Sequence, residues 1–208
     1  PTTADAILSG LVGSEMCIRD RVMTGFGRTG TMFACQQEEV IPDFLCLAKG
    51  LTGGYLPLAA TLTTGRVFDA FLGGRERTLN YGHSYTANQL GCAAALASLR
   101  VFEEDRVLEK LPARVEALAQ GLRAITHSSV HDVRQCGLIA GLELRLESGE
   151  RFSEGERMGK RVCVAARAHG LLTRPIKDTI VMMPPLCSTE AEIAEACAAL
   201  GRAVKEVG

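Results

Sequence analysis

The chain has 208 residues, of which 47% are hydrophobic and 23% are charged, and its formal net charge is −1. These values are ordinary for a globular protein, and they show no basic excess of the kind that binds nucleic acid or anionic lipid. No apolar run reaches the roughly 20 residues that a membrane-spanning helix needs. We therefore expect neither nucleic acid nor a membrane among the partners. The opening residues show no basic region followed by an apolar one, so we also expect no secretion signal.

The cysteines favour a reducing compartment. There are 8 of them, scattered along the chain with no C-x-x-C pair and no histidine-rich cluster nearby. Most lie among Ala, Leu and Val, where cysteine acts as a small buried hydrophobe. We therefore expect no disulfide framework and no metal site, and a cytoplasmic location.

Residues 1–21 differ from the rest of the chain. They show neither the alternation of a strand nor the apolar stripe of a helix, and Gly13–Arg21 reads GSEMCIRDR. We treat residues 1–21 as suspect, as a candidate foreign leader.

Recognisable signals for loops, turns and strands begin after this segment. Thr24–Gly30 (TGFGRTG) is too irregular for the interior of a helix or strand and predicts a loop. Beyond the turn at Pro42-Asp43, an apolar run at 44–48 predicts a buried strand. A second run at 58–62 predicts a neighbouring strand.

Lys49 directly follows the first of these strands and precedes a glycine-rich turn, Gly50-Leu51-Thr52-Gly53-Gly54. A strand that ends in this way is expected to deliver an amine into a crevice. Because desolvation favours the neutral form of an amine, a lysine in a crevice can attack a carbonyl and form a Schiff base. The alternative, for any single lysine, is an ordinary place on a surface turn.

Helical patterns follow downstream. The polar loop 82–88 (GHSYTAN) opens onto an Ala-rich run at 89–102 that predicts a helix. Apolar residues at every third or fourth position predict an amphipathic helix across 108–125. The charged sequence near Glu103–Asp105 predicts a domain boundary between the two helices.

The last part of the chain mixes both element types. Apolar runs at 138–146 and 180–183 predict strands. The capping box Thr189-x-x-Glu192 predicts the start of the final helix. The fold class is therefore predicted to be mixed α/β.

Five phrases of the sequence together resemble the class III aminotransferases, which use pyridoxal phosphate. These phrases are TGFGRTGTMFAC (24–35), PDFLCLAKGLTGG (42–54), LPLAATLTT (56–64), YGHSYTANQLGCAAALASL (81–99) and RPIKDTIVMMPP (174–185). The resemblance runs from Val22 to about Pro185 and covers only the second half of the family's chain. It implies a PLP-dependent transferase of fold type I. Residues 22–103 would form the C-terminal part of the large domain, and residues 104–208 the small C-terminal α/β domain.

The phrases are most similar to the family members that aminate 8-amino-7-oxononanoate to 7,8-diaminononanoate in biotin biosynthesis. The resemblance implies pyridoxal 5'-phosphate as cofactor and S-adenosylmethionine as amino donor, with lysine left open as another donor. It also implies a homodimer with shared active sites and small-molecule substrates.

Two residues match the family's cofactor chemistry. Lys49 matches the catalytic lysine that holds the cofactor and moves the proton between the substrate and the cofactor. Asp20 lies 29 residues before it and matches the aspartate that pairs with the pyridinium nitrogen. The family reads Asp-Glu-Val at this point, whereas this chain reads Asp20-Arg21-Val22. The alternative for Asp20 is a solvated aspartate that matches the register by accident.

Five further residues match binding positions. Gly82, His83 and Ser84 match the loop that holds the cofactor phosphate. Gly82 also matches a position that faces the substrate. The alternative for Ser84 is a role as the N-cap of the following helix. Arg174 matches the arginine that grips the substrate carboxylate. Arg28 matches an arginine near the substrate entrance, and a structural ion pair is its alternative.

Two alternatives to the implied function stay open. One is another class III aminotransferase that acts on an ω-amino acid. The other is a truncated, non-catalytic product, because the resemblance lacks the half that supplies a phosphate turn and the aromatic residue that stacks on the pyridine ring.

Overall fold

The computed structural model describes residues 18–20 and 22–207, and the chain forms two compact units. The first unit ends at Arg106; the second comprises Gly27–Gly30 and the chain from Val107 onward. Of the suspect residues 1–21, all except 18–20 lie outside the described residues. The assignment of the two parts of the chain to a large and a small domain stays a prediction.

The first unit is built on a three-stranded sheet with the order β1-β2-β3. Strand β1 runs parallel to β2, and β3 runs antiparallel to it. The elements are β1 (Ile18–Asp20), β2 (Phe44–Leu47), β3 (Ala60–Thr63), α1 (Gly65–Asp69) and α2 (Gln89–Glu104), with 3₁₀ turns at Ala34–Glu38, Lys49–Thr52 and Arg75–Arg77.

The core of the first unit is small. Its buried members are Phe26, Leu47, Leu51 and Ala95. Many large apolar side chains of this unit are exposed instead; Ile41 is 88% and Tyr55 is 89% accessible. This number of exposed apolar side chains is typical of a surface that other protein can cover.

The second unit is a four-stranded antiparallel sheet, ordered β4-β5-β7-β6, with three helices. Its elements are α3 (Val107–Arg123), β4 (Val130–Cys136), β5 (Ile139–Leu144), α4 (Met158–Ala168), β6 (Arg174–Ile176), β7 (Thr179–Met182) and α5 (Glu190–Val207). Among the described residues, none of the helices combines the length and apolar character that crossing a membrane requires.

Sequence periodicity explains the core of this unit. Strand β5 buries Ala140, Leu142 and Leu144 on alternate positions, as a half-buried strand does. Helix α3 buries Leu111 and Leu118, which lie two turns apart on one face. The resulting core combines side chains from β5 and β7 with side chains from α3, α4 and α5, and each of its buried members keeps less than a tenth of its accessible surface.

Most of the predicted elements are confirmed, with shifted ends. The helices predicted at 89–102 and 108–125 are α2 and α3, and the strands predicted at 138–146 and 180–183 are β5 and β7. The capping box is also confirmed, because the Thr189 N–H donates to the Glu192 carboxylate at 2.8 Å and the Glu192 N–H donates to Thr189 Oγ1 at 3.2 Å. The bonds from the Thr189 backbone and hydroxyl lower the pKa of Glu192. Strands β4 and β6 and helix α4 were not predicted.

The segment Gly27–Gly30 belongs to the second unit although it precedes that unit by almost 80 residues in the chain. The Leu138 N–H donates to the Arg28 carbonyl at 3.0 Å. Gly137 lies against the segment with φ +58, and a Cβ there would come within 2.2 Å of the Thr29 carbonyl carbon. Only glycine fits this close approach between two backbones.

We expect Gly137→Ala to destabilise the second unit by about 2 kcal/mol or more, since it adds both a backbone clash and left-handed strain. Gly149→Ala is the matched control, because Gly149 has φ +86 but nothing lies within 4 Å of its added Cβ. Urea unfolding of the second unit, followed by amide resonances of β5, measures both. Equal losses in the two variants would contradict the close approach.

Candidate active site

Lys49 lies immediately beyond the end of β2. Strand β2 ends at Leu47, Ala48 is extended, and Lys49 begins a 3₁₀ turn with φ +46. A lysine rarely adopts this left-handed conformation, and such strain is typical of functional positions. The turn therefore fixes the direction in which the lysine leaves the sheet.

The backbone after Lys49 is held by the ring of Phe26. A Cβ at Gly50 would lie 2.7 Å from a ring carbon of Phe26. Phe26 is 3% exposed and makes edge-to-face contacts with Phe33 and Phe102. Ser98 on α2 also donates to the Gly50 carbonyl at 3.3 Å. Sequence reasoning identified Gly50 only as the start of the glycine-rich turn, and it did not identify Phe26 as the partner of that turn.

A groove of about 1210 Å³ opens beside the Lys49 turn. Lys49 lines it together with Tyr55, Tyr81, His83 and Tyr85. The Lys49 side chain is exposed in this chain, so the deep crevice expected from the sequence is here an open groove.

The loop between the groove and α2 is organised by its own hydrogen bonds. The His83 N–H donates to Thr86 Oγ1 at 2.9 Å, and the Tyr85 N–H donates to His83 Nδ1 at 3.1 Å. The N-cap of α2 is Asn88, whose Oδ1 accepts the Gly91 N–H at 3.0 Å. The alternative role of Ser84 as the cap of this helix is therefore wrong.

Gly82 and Ser84 flank His83 and are exposed. Neither of them lines the groove, whereas His83, Thr86 and Asn88 do. The groove thus reaches the N-terminal end of a 16-residue helix, where the helix dipole and free N–H groups favour an anion.

Asp20 ends β1, and its Cα pairs with that of Cys46 in the parallel β1–β2 register. Lys49 follows Cys46 by three residues, so the Asp20 backbone and the Lys49 turn lie at the carboxyl ends of adjacent parallel strands. Ligands of open α/β sheets bind at this edge. The side chain of Asp20 lies outside the described part of the chain.

The second unit carries a separate groove of about 610 Å³. Arg174, on the edge strand β6, lines it with Arg167 and mostly apolar residues that include Leu172, Met183 and Pro184. Arg174 is exposed, and none of the described carboxylates forms an ion pair with it. Glu192 also lines this groove, and Thr189 donates two hydrogen bonds to one of its carboxylate oxygens, Oε2.

Arg28 is not one of the described residues that line the two grooves. Its Nη1 donates to the Pro184 carbonyl at 2.6 Å, within the second unit. Burial lowers the pKa of this guanidinium. The structural ion pair considered for Arg28 is replaced here by a hydrogen bond to a backbone carbonyl.

The chain matches the family model "Aminotransferase class-III" over residues 14–204. It is 53% identical over 181 residues to an adenosylmethionine-8-amino-7-oxononanoate aminotransferase of Nitratidesulfovibrio vulgaris, covering 85% of this chain and 33% of that protein. With the Aquifex aeolicus protein of the same name it shares 51% identity over 197 residues, covering 92% of this chain and 44% of the relative. The chain thus spans between a third and a half of the length of these relatives.

Solved structures agree with this relationship. The Methanocaldococcus jannaschii enzyme of the same name superposes with a TM-score of 0.83 at 46% identity, covering 89% of this chain and 44% of that chain. An (S)-enantioselective omega-transaminase from Thermomicrobium roseum gives a TM-score of 0.86 at 33% identity, covering 98% of this chain and 46% of that one. The mixed sheet-and-helix units are accordingly part of the α/β fold of these transaminases. The chain belongs to the class III aminotransferase family.

Proposed function

We propose that this chain is the C-terminal part of an enzyme that transfers an amino group to 8-amino-7-oxononanoate, giving 7,8-diaminononanoate. The observation that supports this most strongly is the 46–53% identity to five relatives that carry the name of this activity. The solved structures named as omega-transaminases resemble the chain less closely, at 31–33% identity. We therefore favour the oxononanoate acceptor over another ω-amino acid.

The cofactor of the proposed enzyme is pyridoxal 5'-phosphate, which supplies the electron sink for transamination when it is bound. The groups that line the first groove are suited to bind pyridoxal 5'-phosphate. A primary amine, the nucleophile needed to bind an aldehyde, lies on its wall. The groove also reaches a helix N-terminus that suits a phosphate, and in the homodimer proposed below this terminus would serve the cofactor of the partner subunit.

Lys49 is the proposed catalytic residue. Its left-handed turn directs the amine away from the sheet end and into the groove, and the contact of Gly50 with Phe26 holds that turn. With its amine free of the cofactor, Lys49 Nζ would accept the proton that the amino-bearing carbon of the substrate loses and would pass that proton to the cofactor. Asp20, at the end of the adjacent strand, is proposed to stabilise a protonated ring nitrogen.

Gly82, His83 and Ser84 are proposed to bind the cofactor phosphate of a partner subunit in a homodimer. The exposure of this loop in the isolated chain supports that role, because a loop that serves a partner subunit must reach the surface of its own subunit. His83 would act mainly through its backbone. A cytoplasmic location and S-adenosylmethionine as donor complete the proposal.

Arg174 is proposed to bind the carboxylate of the acceptor. The acceptor is a carboxylate on an aliphatic chain, and the second groove pairs an unpaired guanidinium with apolar walls. An arginine can grip a carboxylate through two parallel hydrogen bonds, which fixes the direction of the attached chain.

A truncated, non-catalytic product is the second candidate. The exposure of Lys49 and of the apolar surface of the first unit favours it for the isolated chain. A solvent-exposed lysine is held less firmly in a reactive orientation than a lysine in a closed active site.

Addition of pyridoxal 5'-phosphate to the purified chain separates these candidates. We expect a weak visible absorbance band from a covalent lysine adduct, and we expect Lys49→Ala to remove it. Borohydride trapping and peptide mapping should place most of the label on Lys49 and little on the exposed Lys110, whose replacement by alanine is the control. Equal labelling of the two lysines would support the non-catalytic reading.

Gly50→Ala is expected to reduce the trapped label at Lys49 by about threefold or more. The added methyl group cannot fit against Phe26, so the turn that directs the amine must shift. Gly65→Ala is the matched control, since nothing lies within 4 Å of the added Cβ. Unchanged labelling in Gly50→Ala would show that the Lys49 turn does not depend on this contact.

In the full-length protein that contains this segment, we expect Arg174→Ala to raise KM for 8-amino-7-oxononanoate on the order of tenfold. Cofactor binding, measured by visible absorbance, should stay unchanged. Arg202→Ala, at an exposed position of α5, is the control. A parallel loss of cofactor binding and activity in Arg174→Ala would contradict a role limited to the carboxylate.

A further inference from the structure

The segment between β7 and α5 is held by two arginines from elsewhere in the second unit. Arg28 Nη1 donates to the Pro184 carbonyl at 2.6 Å, and Arg114 Nη1, from α3, donates to the Leu186 carbonyl. We call residues 183–186 the proline wall. Pro184 and Pro185 have no N–H, so the carbonyls are the backbone groups through which this part of the chain can be fixed.

Both guanidiniums donate hydrogen bonds to backbone carbonyls and form no ion pairs with the described carboxylates. The Nε of Arg114 is buried and has no hydrogen-bond partner in the described part of the chain. A charged donor to a carbonyl makes a stronger bond than a neutral one. Two such bonds within three residues therefore restrain the proline wall tightly.

The proline wall is also one side of the groove that Arg174 lines. Met183, Pro184 and Pro185 contribute to it, and Arg174 pairs with Val181 two residues before Met183. Neither Arg28 nor Arg114 lines this groove. These arginines therefore do not contact a ligand in the groove, and their bonds to the proline wall are the structural link between them and the groove.

We infer that Arg28 and Arg114 are positioning residues that hold the proline wall at the distance from Arg174 that admits an aliphatic chain ending in a carboxylate. This inference rests on the proposed function of Arg174, and it replaces the direct substrate contact that the family resemblance implied for Arg28. Loss of either guanidinium frees the wall. The apolar side of the groove then no longer lies opposite Arg174 in one fixed arrangement.

Titration of the 208-residue chain with octanoate tests this inference without enzyme activity. Carbon-13 labelling of the methionine methyl groups gives 6 sites, of which Met183 lies on the proline wall. The resonance of Met183 reports on this groove, because Met183 lines it. We expect saturable shifts of the Met183 methyl resonance with octanoate and not with octylammonium, which lacks the carboxylate.

We expect Arg28→Met and Arg114→Met each to weaken octanoate binding about threefold or more and to shift the Met183 resonance before any ligand is added. Arg28→Lys should recover part of the affinity, because an ammonium group can also donate to the Pro184 carbonyl. Ile125→Val is the matched control for lost stability. It truncates a buried core side chain that does not line the groove, and its affinity should equal that of the unsubstituted chain.

The outcomes separate the two proposals. If Arg174→Gln weakens octanoate binding while Arg28→Met and Arg114→Met bind as the unsubstituted chain does, the positioning role is wrong and the carboxylate site stands. If Arg174→Gln has no effect, or the unsubstituted chain shows no octanoate-dependent shift at Met183, the carboxylate site itself is wrong. If Ile125→Val weakens binding as much as Arg28→Met, the arginines act through stability alone and the inference fails.

Discussion

The contact between Gly50 and the ring of Phe26 is the constraint on which the lysine site depends. Lys49 has a left-handed backbone conformation, which costs about 1–3 kcal/mol and persists only where the surrounding structure enforces it. The next residue, Gly50, packs against the ring of Phe26 and accepts a hydrogen bond from Ser98 of α2. Phe26 itself has φ +56 and lies in the small core of the first unit. The backbone of the Lys49 turn is thus held by packing against the core of the first unit.

Local patterns were sufficient to predict the elements that carry the site. The apolar run before Lys49 and the glycines after it indicate a strand that ends in a turn, and the structure contains β2 followed by a 3₁₀ turn at that place. Helix α2 follows from alanine content. The start of α5 follows from the Thr189–Glu192 capping box, because a cap is a short-range interaction that three residues specify. Such features depend on neighbours in sequence, and a single sequence reveals them.

The parts that escaped prediction depend on partners remote in sequence or on weak local signals. Strand β6 contains Pro175, and proline argues against a strand unless the strand lies at a sheet edge, as β6 does. Strand β4 is polar at most positions because it is the opposite edge. Helix α4 starts after Arg157 in a left-handed conformation without a side-chain cap, so no start signal exists. The hydrogen bond from Arg28 to the Pro184 carbonyl joins residues that are 156 positions apart in the sequence, and no local pattern near either residue predicts it.

The two chemical functions of the proposed enzyme have different structural support in this chain. The amine of Lys49 belongs to a unit with few buried side chains and much exposed apolar surface, whereas Arg174 belongs to a unit whose sheet and helices enclose a continuous core. Residues in a well-packed unit keep their geometry when the rest of a protein is absent, because their neighbours restrain them. The carboxylate groove should therefore retain more of its native affinity in these 208 residues than the cofactor groove does. A weak cofactor interaction in the isolated chain then reflects incomplete packing around Lys49, and it leaves the assignment of Arg174 intact.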